Sequence, residues 1–368
     1  MGKLDMLEMA YGMATHEKKL KKKYGVTPKE NALMAYHHKQ PYVVPNGMID
    51  GAIVVPGGDL ERYAGRTEGK DGFGVEWVFV PEQNAPMVKP GSIILEDIAD
   101  WREVVHFPDL EAFDWEKQAD LDLHEDFLSS QKIGTYQRLK NNKTITDGGK
   151  FCFAMILNGP FERLHSLMGF ENALIALLED PESCYEFFGA MADYKIELLK
   201  KIKKYYNPDV IQFHDDYGAS DRMFMSLDTW RELLKPHIKR VVDATHEMGI
   251  IYEHHSCGYM EPLIPEFIEI GVDAVDPLSP YSNHNLKELK KKYGHQICFV
   301  GCGNNIEVYD RKGVTEEECR AEYRRTIEEI APGGSYVAFP VGLTTNGMLP
   351  CMMEHFSSGV SFYEKQGK

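Results

Sequence analysis

The sequence predicts an α/β protein, a (β/α)8 TIM barrel with an N-terminal elaboration. From about residue 150, short apolar segments alternate with longer segments of helical periodicity, which predicts a parallel sheet covered by helices. At least six such units follow one another, and this number favours a closed barrel over an open sheet. We expect a single domain over residues 1–368. Residues 1–150 hold the N-terminal elaboration and the first barrel strand, and residues 151–368 hold the remaining barrel units.

The less regular residues 1–150 still contain two recognisable patterns, a first strand from Tyr42 to Pro45 and a hairpin at 71–80. The apolar run at 151–157 predicts a buried strand. Apolar residues recur at helical spacing over 180–206, where Asp180 is the predicted N-cap and Pro181 the first helical residue. The remaining predicted elements are helices at 170–180, 226–249, 260–271, 285–294 and 315–334, strands at 209–216, 250–258, 272–280, 297–305 and 336–342, and a terminal helix from Pro350.

Composition and charge exclude several classes of protein. The formal net charge of -16 argues against a nucleic-acid partner, because phosphates would repel the chain. No run of about 18 apolar residues is present, so we expect no membrane span. The seven cysteines, an odd number scattered through a long chain, do not form a disulfide framework and favour a reducing, cytoplasmic environment.

Polar residues gather where the predicted strands end, which is where barrel enzymes build their sites. His255 and Cys257 are two residues apart at the end of a strand, so their side chains share one face and together can bind a metal ion. Asp215 and Asp216 end another strand. Adjacent strand residues point to opposite faces, so at most one of these carboxylates faces the interior, where burial would make it a proton donor.

Several segments resemble the uroporphyrinogen decarboxylase superfamily. These are "DGFGVEWV" at 71–78, "NGPFERLHSLMGFENALIALLEDPE" at 158–182, "HHSCGYMEPLIPEFIEIGVDAVDPLSP" at 254–280 and "FVGCGNN" at 299–305. Blocks in this order imply the (β/α)8 barrel. The decarboxylase branch carries arginine in an R-Q-A-G-R type motif after the first strand, where "PNGMIDGAIVVPGG" at 45–58 has none. The methyltransferase branch carries H-x-C-G and binds zinc through it, as at His255-Ser256-Cys257-Gly258.

The resemblance implies a third zinc ligand, a cysteine in the loop after the last strand. That place holds Val341-Gly342-Leu343, without cysteine. Two substitutes remain open: Cys351, which we prefer because it belongs to the same loop and helix, and Cys302, which ends the neighbouring strand. Asp276 is a further candidate, either as a carboxylate ligand or as a partner of a ligand.

The function that the resemblance implies is zinc-dependent methyl transfer between a small molecule and the Co(I) corrinoid of a separate corrinoid protein, as in O-demethylase methyltransferases I and methylcobamide:coenzyme M methyltransferases. Apolar residues near the expected barrel mouth favour a methoxylated aromatic methyl donor: Phe224, Met225, Phe339 and Met348. The alternatives are a methylcorrinoid:thiol methyltransferase, a metal-free lyase of the decarboxylase type, and a non-enzymatic accessory protein that binds corrinoid or metal.

Overall fold

The computed structural model describes residues 3–81, 83, 85–124, 143–340, 342 and 345–366, and within them ten strands form two sheets. Seven strands lie parallel in the order β1-β5-β6-β7-β8-β9-β10, and β2-β3-β4 form a small antiparallel sheet. The strands are β1 (Gly51–Val54), β2 (Gly69–Lys70), β3 (Glu76–Val80), β4 (Ala85–Val88), β5 (Phe151–Ile156), β6 (Val210–His214), β7 (Ile251–His255), β8 (Ala274–Asp276), β9 (Cys298–Val300) and β10 (Tyr336–Val337).

Helices alternate with the strands of the parallel sheet, as the sequence predicts. The α-helices within the described residues are Lys3–Lys19, Pro28–Tyr36, Gly47–Asp50, Trp101–Val104, Trp115–His124, Pro160–Met168, Phe170–Glu179, Pro181–Tyr206, Leu227–Leu233, Lys235–Glu247, Ile264–Ile270, Leu286–Tyr293, Glu316–Ile330, Thr345–Glu354 and Phe362–Lys365. The predicted cap is confirmed, because the Asp180 side chain accepts a hydrogen bond from the Ser183 amide at 3.1 Å. None of these helices combines the length and the apolar character that crossing a membrane requires.

Three of the predicted elements differ from the structure. The helix predicted at 226–249 is two helices that meet at Leu234, because Pro236 lacks an amide proton and clashes with a continuous helix. The terminal helix begins at Thr345 and contains Pro350 instead of starting there. Residues 42–45 are not a strand, and the first strand of the parallel sheet is β1.

Seven strands are described where the predicted barrel has eight. An isolated parallel bridge joins Asn46, just before β1, to Ala338, just after β10. The Gly47 amide donates to the Ala338 carbonyl at 2.9 Å, and the Ala338 amide donates to the Pro45 carbonyl at 2.8 Å. Backbone hydrogen bonds therefore link the segment that precedes β1 to the segment that follows β10.

Two apolar cores lie on the two faces of this sheet. One face packs against the helices through β-strand residues such as Ile211, Phe213 and Tyr252. The other face, called the inner face, carries a second apolar core that includes Phe153 and Val210, and the first core is called the outer core. Because side chains alternate along a strand, the residues Gln212, His214, Glu253 and His255 share the second face. The polar part of this inner face lies toward the ends of β6, β7 and β8.

Candidate functional site

The ends of β6, β7 and β8 bring the predicted site residues together. In the parallel register His214 lies opposite His255, and His255 lies opposite Asp276. Asp216 follows β6 by two residues, and Cys257 follows β7 by two residues. Side chains that are 21 to 41 positions apart in the chain therefore meet at one edge of the sheet.

Asp216, His255 and Cys257 form a cluster whose potential ligand atoms all lie within 4.8 Å of one another. The Cys257 Sγ is 3.5 Å from His255 Nε2, and the same nitrogen is 3.9 Å from an Asp216 oxygen. The Cys257 amide donates to Asp216 Oδ1 at 2.7 Å, which holds the carboxylate against the loop after β7. Imidazole, thiolate and carboxylate are the ligand types of zinc sites, and three ligands are the number found in catalytic sites.

Asp276 orients the His255 ring within this cluster. Its Oδ2 lies 2.6 Å from His255 Nδ1, which leaves Nε2 directed at Cys257 and Asp216. Burial would lower the pKa of His255, but the charges of Cys257 and Asp276 and the bond to Asp276 raise it well above the usual value. A carboxylate behind a ligating histidine is the usual arrangement at zinc sites. The position of Asp276 therefore fits the role of a partner that orients a ligand.

The glycine of the His255–Gly258 segment permits the close approach of two loops. Gly258 adopts φ +81°, and a Cβ there would lie 2.1 Å from the Gly218 carbonyl oxygen. The Tyr259 amide donates to the Ala219 carbonyl at 2.8 Å, so the loops after β6 and β7 are joined backbone to backbone. This backbone contact fixes Cys257 and Asp216 relative to each other. Any side chain at position 258 would push the two loops apart.

Asp215 points away from the cluster and caps a helix. Its two oxygens accept hydrogen bonds from the amides of Phe161 and Glu162, at 3.3 and 2.8 Å, and from the Tyr217 hydroxyl at 2.6 Å. Burial raises its pKa to about 7, although these hydrogen bonds oppose the shift. The two adjacent carboxylates therefore take different roles, since Asp215 holds the helix Pro160–Met168 and Asp216 joins the candidate metal ligands.

The structure does not bring Cys351 or Cys302 into the cluster. Cys351 is fully buried in the C-terminal helix, where its thiol lies 3.6 Å from the Cys319 carbonyl oxygen. Cys302 is also fully buried, with its thiol 3.6 Å from the Val300 carbonyl oxygen. The structure places Asp216, and not the preferred Cys351, beside His255 and Cys257. In the loop after the last strand, where the resemblance implies a third ligand, Val341 and Leu343 lie outside the described residues.

Two charged residues beside the cluster were not identified from the sequence. Glu162, in the first turn of its helix, has a pKa raised to about 8, first by burial and then by Asp216 and Asp215. Burial lowers the pKa of Arg62, and the charges of Glu162 and Asp216 partly offset that effect. The Arg62 guanidinium lies 4.9 Å from the Trp77 ring and donates to the Pro86 carbonyl oxygen at 2.6 Å.

A sequence signal for Arg62 was present but lies beyond the stretch 45–58 in which an arginine was sought. Arg62-Tyr63-Ala64-Gly65-Arg66 matches four of the five positions of the R-Q-A-G-R type motif. The stretch 45–58 contains no arginine, but this motif-like segment follows it closely along the chain. No comparable pattern marks Glu162, because its position beside the cluster depends on how the helix Pro160–Met168 packs against the end of β6.

The predicted apolar wall is divided between the two cores. Phe339 and Met348 belong to the apolar core on the inner face of the sheet, together with Ile53 and Phe153. Phe224 and Met225 pack against the outer core. Phe224 lies 4.9 Å from the half-exposed Phe170 ring, centroid to centroid. The inner face therefore combines a polar portion on β6 to β8 with an apolar portion contributed by the remaining strands and the C-terminal helix.

Comparisons with known proteins agree with this architecture. The model of the uroporphyrinogen decarboxylase (URO-D) family matches residues 125–342, more than half of the chain. A solved methyltransferase from Methanosarcina mazei superposes with a TM-score of 0.62 at 13% identity, covering 92% of this chain and 99% of that chain, which shows similarity of fold. A sugar phosphate isomerase/epimerase from Parabacteroides distasonis reaches a TM-score of only 0.30 at 10% identity, over 61% of this chain and 80% of its own. No curated protein sequence matches the chain.

Proposed function

The chain belongs to the uroporphyrinogen decarboxylase family, and on that premise we propose that it is a zinc-dependent methyltransferase acting with a corrinoid protein. The observation that carries the proposal is the cluster of Asp216, His255 and Cys257, with Asp276 behind His255. The fold similarity to a methyltransferase from Methanosarcina mazei supports it. We propose these three residues as the zinc ligands.

The proposal includes a closed eight-stranded barrel, in which the segment around Asn46 takes the eighth position. The parallel bridge between Asn46 and Ala338 supports this closure. In such a barrel the cluster lies at the mouth, since His255 is the last residue of its strand and Asp216 and Cys257 follow the ends of theirs. The exposed Cys257 side chain is consistent with a site that a large partner can reach.

The proposed reaction transfers a methyl group from a methoxylated aromatic to Co(I) of the corrinoid protein. An aryl methyl ether, Co(I) and a proton yield methyl-Co(III) and a phenol. Cobalt supplies the electron pair of the new Co–C bond. The C–O bond breaks, and the oxygen keeps the electron pair of that bond and takes the proton. Zinc, when bound, supplies a Lewis acid for the ether oxygen, which is otherwise a poor leaving group.

Residues of this chain provide the proton and hold the donor. Asp215 and Asp216 were the expected acids, but the first caps a helix and the second faces His255. Glu162 holds a proton at neutral pH because its pKa is raised to about 8, so we propose it as the proton donor. The apolar inner-face residues Phe339 and Met348 suit an aromatic ring.

The test combines a metal analysis with a methyl-transfer assay. Protein purified without chelators should carry about one zinc per chain, and His255→Ala should remove it. Co(I) corrinoid protein is then supplied separately with guaiacol-type ethers, methylamines and methanol, and methyl-Co(III) is read from its visible spectrum. Product only with methylamines or methanol would refute the aromatic donor. Efficient methylation of coenzyme M from methyl-corrinoid, with no donor accepted, would show the opposite direction of transfer.

A second candidate function is decarboxylation of a polyacid without metal, and Arg62 favours it. This arginine is close to Glu162 and Asp216 at the edge of the cluster, within a segment that resembles the arginine motif of decarboxylases. Conversion of uroporphyrinogen by metal-free protein, lost in Arg62→Gln, would support it. The absence of such conversion, with zinc present at one per chain, would leave the methyltransferase.

A further inference from the structure

A chain of buried polar side chains runs behind the cluster, inside the sheet. Its members are Gln212 of β6, Glu253 of β7, Asp276 of β8 and Tyr36 of the helix Pro28–Tyr36, and none is more than 2% exposed. The Tyr36 hydroxyl donates to Glu253 Oε2 at 2.8 Å. Buried polar groups of this kind are costly unless each has a partner, so their contacts fix their orientation.

Gln212 occupies the centre of this chain, and its amide can adopt only one orientation. The Nε2 group donates to Glu253 Oε1 and to Asp276 Oδ2, both at 2.9 Å. A flipped amide would place its oxygen between two carboxylates, which are acceptors when ionised. The Gln212 Oε1 therefore faces His214 and lies 2.7 Å from its Nε2.

Both groups that Gln212 holds are in contact with His255. The Asp276 oxygen that accepts from Gln212 is the same oxygen that lies 2.6 Å from His255 Nδ1. The His214 ring stacks on the His255 ring, with centroids 4.0 Å apart and an angle of 16° between the planes. One amide thus fixes both the hydrogen-bond partner and the stacking partner of the candidate ligand.

We propose that Gln212 is a positioning residue of the metal site, acting on His255 through Asp276 and His214. The proposal rests on zinc binding at Asp216, His255 and Cys257. In Gln212→Leu, neither Glu253 nor Asp276 receives its hydrogen bond from the amide. Asp276 is then free to rotate, and the imidazole is held less firmly. Residues behind the ligands of zinc sites typically change metal affinity 10–100-fold, and the lower end applies to a residue one contact further away.

The experiment measures the zinc dissociation constant by chelator competition and the visible spectrum of the Co²⁺-substituted protein. Gln212→Leu should weaken zinc binding roughly tenfold and shift the Co²⁺ bands, which report ligand geometry. Gln212→Met, which keeps the length of the side chain but has no donor, should do the same. Tyr36→Phe removes only the far end of the chain and should have the smaller effect. Met155→Leu is the matched control, because Met155 lies opposite Gln212 on β5 and has no part in the chain of hydrogen bonds.

The outcomes separate this inference from the proposed function. Unchanged zinc affinity and an unchanged Co²⁺ spectrum in Gln212→Leu, while His255→Ala loses zinc, would overturn the role of Gln212 and leave the metal site in place. If Gln212→Leu does not fold, Gln212→Met decides by the same criterion. Equal weakening in Met155→Leu would show a packing effect and would also overturn the role. A wild-type protein that binds no zinc would overturn the proposed function itself.

Discussion

Two regions of the molecule each place a cysteine near a histidine, with different consequences. At the ends of β6 and β7, Cys257 is exposed, and the charges of Cys257 and Asp276 and the bond to Asp276 raise the pKa of His255 well above the usual value. In the C-terminal helices, Cys351 and His355 are fully buried, and burial lowers the pKa of His355 to about 3. The residue types are similar, but only in the first region does a carboxylate contact the histidine directly and the cysteine side chain reach the surface.

The hydrogen-bond partners explain the difference. His255 faces the Asp276 carboxylate, whereas His355 Nδ1 meets the neutral Tyr323 hydroxyl at 2.9 Å. The His355 Nε2 is buried and has no partner among the described residues. Burial and the charge of His16 outweigh the charge of Asp50, so the pKa of His355 falls and the imidazole stays neutral. The comparison indicates that a metal site requires side chains from open strand ends, and that a cysteine close in sequence to the family's usual ligand position does not suffice.

The largest expected effect is that of Cys257→Ser. Removing the thiolate should weaken zinc binding by more than about 100-fold, because even residues behind the ligands typically account for 10–100-fold. The fold should remain, since this side chain is not part of either core. Zinc content after dialysis and circular dichroism measure the two properties. Cys302→Ala is the control and should keep its zinc. Full zinc content in Cys257→Ser would contradict the role of Cys257 as a ligand.

Asp216→Asn should weaken zinc binding at least about tenfold. The amide can still accept the hydrogen bond from the Cys257 backbone, so the loop should keep its shape while the negative ligand is lost. Chelator competition measures the affinity. Asp221→Asn, an exposed aspartate of the same loop that pairs with Arg222, should leave it unchanged. An equal affinity in both variants would show that the third ligand is another residue.

His355 should make the protein sensitive to acid. An unfolded histidine titrates near pH 6.5, whereas folded His355 remains neutral to about pH 3, so the unfolded state binds more protons between these values. The free energy of unfolding should therefore fall with pH below 6.5, by up to about 1.4 kcal/mol per unit from this residue. Urea unfolding of His355→Gln at pH 7, 5.5 and 4.5 should show a shallower fall. The exposed His106→Gln serves as control, and parallel slopes for wild type and His355→Gln would contradict the expectation.

The smallest expected effect is that of Cys351→Ala on stability. Loss of the buried thiol should leave a cavity of about a methyl group and reduce the free energy of unfolding by about 1 kcal/mol. Zinc content should not change, because this thiol faces the Cys319 carbonyl oxygen. Urea unfolding and metal analysis measure both. Release of zinc by this substitution would identify Cys351 as the third ligand. The buried region would then contribute to the metal site, contrary to the comparison above.

Local sequence patterns determined the elements and one pair of candidate ligands. Alternating apolar segments predicted the parallel α/β sheet, and the Asp180-Pro181 pair predicted the start of a helix. The two-residue spacing of His255 and Cys257 placed both side chains at one site, because side-chain direction repeats every second residue along a strand. The helical periodicity of the apolar residues predicted one helix over 226–249, because the pattern continues through Leu234. The structure has two helices there, since Pro236 interrupts the backbone hydrogen bonds.

Only the tertiary structure decided which distant residues complete the site. Asp216 and Asp215 are adjacent in sequence, yet one meets Cys257 and the other caps the helix Pro160–Met168. Gln212 gained its place because parallel pairing sets it beside Glu253, with Asp276 within hydrogen-bond reach. Strand register and helix packing bring together residues separated by 41 to 64 positions, and no local spacing encodes such contacts. The sequence by itself therefore determined most of the elements and the His255–Cys257 pair, whereas the third candidate ligand and the residues behind the cluster depended on how the strands align.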